Sequence, residues 1–114
     1  MKAMIRVMKA LSDPNRIKIV KMLEQKELCV CELTLLLGLA QPTVSKHLKL
    51  LEDAGLVASS RDGAWVNYRL ADGRESPYAE ALLTNIKGWL NDDDAVREMI
   101  DKLPEADRLR ICAA

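Results

Sequence analysis

Apolar positions recur at helical spacing along most of this chain and change to a strand-like pattern only once, near its midpoint. In the first eleven residues Met4, Ile5, Met8 and Leu11 share one side and Lys2, Arg6 and Lys9 the other, which predicts a short amphipathic helix. Ser12-Asp13-Pro14 interrupts it. Asp13 suits an N-cap, and proline fits a first helical position, where its missing N–H has no partner to lose. A second helix is therefore expected from Pro14 to about Gln25. Its inward positions are Ile17, Val20 and Leu23, and Arg16, Lys18 and Lys21 form a basic side. A third, short helix begins near Cys31 or Glu32, shows Leu33, Leu36 and Leu37 on one face, and stops at Gly38, which tolerates a left-handed turn.

Pro42 opens a fourth helix with Val44, Leu48 and Leu51 at i, i+4 and i+7, ending at Ala54-Gly55. Two strand-like runs follow, Leu56 to Ser60 and Ala64 to Leu70, and in the second Val66, Tyr68 and Leu70 alternate with Trp65, Asn67 and Arg69. Arg61-Asp62-Gly63 joins these runs and marks a hairpin. Ser76-Pro77 starts a further helix carrying Tyr78, Leu82, Ile86, Trp89 and Leu90 on one side. The run Asn91-Asp92-Asp93-Asp94 opens a last helix from Ala95 to Leu103, which Pro104 ends. Helices, a glycine turn between the third and fourth, then a hairpin, is the order of a winged helix-turn-helix. The expected fold is therefore mainly α, within α+β: five to six helices and a two-stranded β-hairpin wing.

The chain has 114 residues, 49% of them hydrophobic, and no internal repeat or long linker. Residues 1–114 are thus read as one domain with a single core. The longest run without a polar side chain, Leu35 to Ala40, is far too short to span a membrane. Lys2, Arg6 and Lys9 break up the N-terminal apolar residues, unlike a signal peptide, so a cytoplasmic location is expected. The 17 basic and 17 acidic residues balance, yet residues 1–74 carry 12 basic and 8 acidic groups (+4), and residues 75–114 carry 5 and 9 (−4). Such a split suits a chain whose first part approaches a polyanion.

That polyanion is expected to be DNA. One helix fits the major groove of B-DNA, and the fourth helix presents Gln41, Thr43, Ser45 and His47 to exchange hydrogen bonds with bases and Lys46 and Lys49 to neutralise phosphates. Arg61, at the hairpin tip, reaches the adjacent minor groove. Two apolar stripes, Met4/Ile5/Met8 near the start and Leu82/Ile86/Trp89 near the end, exceed what so small a core covers, which implies dimerisation helices at both ends. A twofold homodimer would meet a palindromic operator with half-sites about one helical turn apart.

Glu27-Leu28-Cys29-Val30-Cys31-Glu32-Leu33 places two thiols at the start of the third helix, where the helix dipole favours thiolate. On a regular helix, side chains at i and i+2 point about 200° apart. One soft ion could hold both sulfurs only if the segment leaves helical geometry, which would disturb the helix bracing the DNA reader. Core packing is the plainer use of buried cysteines. A thiol oxidoreductase is disfavoured, because the chain lacks both Cys-x-x-Cys and a strand-helix-strand unit. With no nucleophile-base pair, phosphate loop or cofactor motif visible, the chain is read as a non-enzyme that needs no cofactor to bind DNA.

Three stretches carry a family resemblance: Leu11 to Arg16, Gln41-Pro42-Thr43-Val44-Ser45-Lys46-His47-Leu48, and Asp62 to Leu70. Over roughly residues 3 to 90 they resemble the ArsR/SmtB family of metal-responsive repressors, which implies a homodimer that leaves its operator when inducer binds. The Cys-Val-Cys segment is similar to that of the arsenite-responsive branch. The resemblance therefore implies trivalent arsenic or antimony, As(III) or Sb(III), held by thiolates. Where some relatives place a third cysteine this chain has Thr34, leaving Cys112 as the third candidate beside Cys29 and Cys31. The alternative inducers for the same cysteines are cadmium, lead or reactive sulfur species. His47 is the sole histidine, which excludes the paired-histidine zinc site of another branch. Ala40 stands where the family commonly has serine as the cap of the reading helix.

Overall fold

A computed structural model describes residues 1–105. In chain order it contains α1 (Lys2–Ala10), α2 (Pro14–Leu23), β1 (Leu28–Cys29), α3 (Val30–Leu37), α4 (Gln41–Asp53), β2 (Val57–Asp62), β3 (Trp65–Leu70), α5 (Pro77–Ile86) and α6 (Asp94–Lys102). A 3₁₀ turn over Leu103–Glu105 follows and takes in Pro104. This is a winged helix-turn-helix. Ile19, Val20 and Met22 of α2, Leu28, Leu33 of α3, Val44, Leu48 and Leu51 of α4, and Leu56 form its fully buried centre. The last apolar residue of the α3 run is followed by Gly38 at φ 68°, ψ 27°, where a side chain would strain the backbone. That turn aims α4 across α3.

Caps fix the helix starts. Asp13 Oδ1 accepts the backbone N–H groups of Asn15 at 2.8 Å and Arg16 at 3.2 Å. Burial pulls the Asp13 carboxyl pKa up, but those two N–H groups and the Arg16 charge pull it further down, so it stays ionised below the ordinary range. Ser76 caps α5 through the N–H groups of Tyr78 and Ala79, and Asp93 caps α6 through that of Val96. Ala40 precedes α4 in extended geometry with no side-chain cap. Ala40→Ser should therefore raise stability by about 1 kcal/mol, seen as a higher urea midpoint at unchanged slope.

The sheet has three strands, in the order β1-β3-β2, rather than the two expected. Leu28 pairs with Tyr68 and Cys29 with Asn67, both antiparallel. A two-residue strand has no alternation to read, and it forms only because the return strand of the hairpin lies beside it. The hairpin is also longer than expected: Arg61 pairs with Val66 and Asp62 with Trp65, so Gly63 (φ 61°) and Ala64 alone make the turn.

Two side-chain expectations change. Lys21 does not belong to a basic surface. It is 1% exposed, and its ammonium donates to Ile86 O at 2.8 Å and Asn91 Oδ1 at 3.0 Å and pairs with Glu24 Oε1 at 2.8 Å. Three donors thus meet three acceptors. The last turn of α2 is consequently buried on several sides against α6 and the end of α5, and it holds Ile19 to Leu23 inside. In α5 the inward face falls on Ala79, Leu83 and Ile86. The helix stops at Ile86, so Trp89 and Leu90 leave its stripe, and Leu90 takes φ 64° in the turn that follows.

Candidate functional site

The helix expected to read DNA begins and ends where its periodicity places it. Val44, Leu48 and Leu51 are buried, which fixes the opposite face outward: Gln41, Thr43, Ser45, Lys46 and Lys49 are exposed, and His47 is half-buried. Lys49 Nζ lies 3.1 Å from Asp53 Oδ1, one turn on, and that carboxylate raises the lysine pKa. The wing is tied to the same helix by Ser59 Oγ, which donates to Glu52 Oε2 at 2.9 Å. Beside this link, burial raises the Tyr68 phenol above its usual range, and the Glu52 charge adds to the effect. Arg61 is exposed in β2, two residues before the Gly63 turn. The wing and α4 are thus joined, and both carry exposed cations, Lys46 and Lys49 on the helix and Arg61 on the wing.

One residue that the sequence places on the basic side of the second helix was not assigned there to the DNA-contacting set. Arg16 contacts His47, with Arg16 Nη1 at 3.1 Å from His47 Nδ1. Helical periodicity places Arg16 on a solvated basic side and carries no sign of this contact. Only the packing of α2 against α4 brings it to His47.

The thiols occupy the junction between β1 and α3. Cys29 is 1% exposed, extended at φ −87°, ψ 167°, and is the residue just before the helix. Its backbone N–H donates to Glu32 Oε1 at 2.9 Å, so Glu32 closes the first turn of α3 from inside. Cys31 is half-buried in that turn. The 200° separation therefore does not apply in full, because Cys29 already lies outside the helix. What binding would disturb instead is a buried junction, tied on one side to the wing strand and on the other to the brace helix. Thr34 has a buried hydroxyl without a hydrogen-bond partner. Among the described residues no group of three or more His, Cys, Asp or Glu side chains is placed to hold a metal. Cys112, the expected third thiol, lies outside the described residues.

The apolar stripe of α1 faces outward at Met4, Ile5 and Met8, while Val7 and Ala10 supply its inward contacts. Of the second stripe, Trp89 is exposed and Leu82 is half-buried. Ile86, expected beside them, is buried within the protomer, because it sits on the inward face of α5. Among the described residues no helix is long and apolar enough to cross a membrane.

The comparisons agree with this architecture. Residues 13–59 match the family model described as bacterial regulatory protein, arsR family. The chain is 37% identical over 102 residues to an arsenical resistance operon repressor of Escherichia coli, covering 87% of this chain and 83% of that one. It is 40% identical over 93 residues to an arsenic resistance transcriptional regulator of Pseudomonas putida, covering 76% and 71%. A similar solved structure is the homodimeric winged helix-turn-helix DNA-binding domain of a possible ArsR-family regulator from Mycobacterium bovis. Its TM-score is 0.65 at 29% identity, over 85% of this chain and 84% of that one. With a helix-turn-helix read from the residues, found in the fold and shared with these regulators, the chain belongs to the arsR family of bacterial regulatory proteins.

Proposed function

We propose that the protein is an arsenite- and antimonite-responsive repressor that grips a palindromic operator as a homodimer and lets go when As(III) or Sb(III) takes the Cys29 and Cys31 thiolates. The observation that carries this reading is the position of Cys29. It ends the strand paired to the wing and begins the helix that braces the reader, so a ligand drawing its sulfur toward Cys31 acts on both parts of the DNA-binding face. Release follows if the bound and DNA-gripping arrangements of this junction differ in free energy. Arsenic is supported by the names of the relatives in Escherichia coli and Pseudomonas putida and by the softness of paired thiolates.

Base contacts are assigned to Gln41, Thr43, Ser45 and His47, phosphate contacts to Lys46 and Lys49, and a minor-groove contact to Arg61. Met4, Ile5, Met8, Leu82 and Trp89 cover one another across the dimer, and Cys112 supplies a third sulfur from either protomer. A gel shift on a palindromic promoter fragment tests the whole. Graded arsenite or antimonite should free the DNA, whereas release by cadmium, lead or persulfide alone would replace this reading with the other soft-ligand one.

A further inference from the structure

Arg16 joins three helices through one guanidinium. Its backbone N–H is held by the Asp13 cap of α2 at 3.2 Å. Its Nε donates to Ala10 O at 2.7 Å and its Nη2 to Lys9 O at 3.2 Å, both in the last turn of α1, where carbonyls lack a following turn. Its Nη1 meets His47 Nδ1 on α4 at 3.1 Å. Arginine has five donors and no acceptor. A hydrogen bond between these two nitrogens therefore requires Nδ1 to be the acceptor, and the single proton of a neutral imidazole then sits on Nε2.

We propose that Arg16 is a positioning residue of the DNA reader, which locks His47 in its Nε2–H form so that His47 meets the major groove as a hydrogen-bond donor. A histidine so held suits purine N7, guanine O6 or thymine O4, and it rejects the amino groups of cytosine and adenine. An unconstrained imidazole could offer either a donor or an acceptor and would discriminate less. The same guanidinium sets the end of α1, whose exposed stripe is assigned above to the dimer, so the angle of each reader is referred to the helix that joins the two protomers.

This inference rests on α4 being the reading helix, and the test separates the two. His47 is the only histidine, so the ¹⁵N spectrum of the whole protein reports on it without assignment ambiguity. In mildly alkaline buffer without DNA, the wild type should show the Nε2–H pattern and Arg16→Met a mixture of tautomers. With DNA, Arg16→Met should lower the ratio of operator to random-duplex affinity by about tenfold while the dependence on salt keeps its slope, because no phosphate contact is lost. A lowered slope at an unchanged ratio would make Arg16 a phosphate contact and overturn the proposal. So would an Nδ1–H pattern in the wild type, a measurement that needs no variant to fold. A locked tautomer in a protein that ignores operator sequence would instead refute α4 as the reader.

Discussion

Cys29→Ser and Cys31→Ser should each bind operator DNA as the wild type does and fail to release it with arsenite. Serine is a favoured residue just before a helix, so the Cys29 variant keeps the start of α3, and the Glu32 carboxylate still receives the backbone N–H of residue 29. The hydroxyl is a hard, weakly acidic ligand, and it forfeits the sulfur bond on which a soft ion depends. Changing groups that merely orient metal ligands costs 10- to 100-fold in affinity, so removing a ligand should move the arsenite midpoint by on the order of 100-fold or more. Fluorescence anisotropy on labelled operator, titrated with arsenite, reads both quantities at once. If either serine variant were released at the wild-type arsenite concentration, the coupling would not run through this junction. Reciprocity adds a stricter check: operator DNA must weaken arsenite binding by the factor through which arsenite weakens operator binding.

The second large effect lies away from the DNA. Lys21→Met should destabilise the fold by about 3 kcal/mol, because it leaves the Glu24 carboxylate buried with its counter-charge gone. The Glu24 side chain is 8% exposed, and its Oε2 is already a buried oxygen without a partner, so there is little solvent to take over. Ile86 O and Asn91 Oδ1 lose a donor in the same step. Those two acceptors belong to the end of α5 and the turn before α6, so the variant should also loosen the C-terminal helices, shown by faster amide exchange there. Lys21→Met combined with Glu24→Leu should recover much of the loss, since replacing both members of a buried pair is far cheaper than removing one. Urea unfolding of the two variants decides it. Equal stabilities would mean that the pair carries no buried charge penalty.

Several elements follow from local chemistry alone. The helix α4 was legible in full: Pro42 in the first turn, a buried triad at i, i+4 and i+7, and an opposite face that is polar apart from Leu50 define Gln41–Asp53 without help from the rest of the chain. Asp13 and Ser76 announce α2 and α5 in the same way, as side-chain acceptors one residue ahead of a proline. Gly38 announces the turn between α3 and α4. The two cysteines were legible as a pair, since their spacing is a property of the chain. Their geometry was not, because whether Cys29 is helical or extended depends on Asn67, 38 residues later, offering a strand to pair with.

Lys21 and Arg16 show the same division. Both are cations on one amphipathic helix, and helical periodicity assigns both to a solvated face. One is instead buried by elements that arrive more than 60 residues later, and the other is turned toward His47 by the crossing of α2 and α4. The sequence by itself determined where helices start, which face of α4 is buried, and which side chains have thiol or cationic chemistry, because these depend on neighbours within a turn or two. Tertiary structure alone decided which cations are buried, that a third strand links the thiol segment to the wing, and that one arginine spans three helices. Each of those outcomes depends on groups far apart in the chain, whose meeting no local pattern encodes.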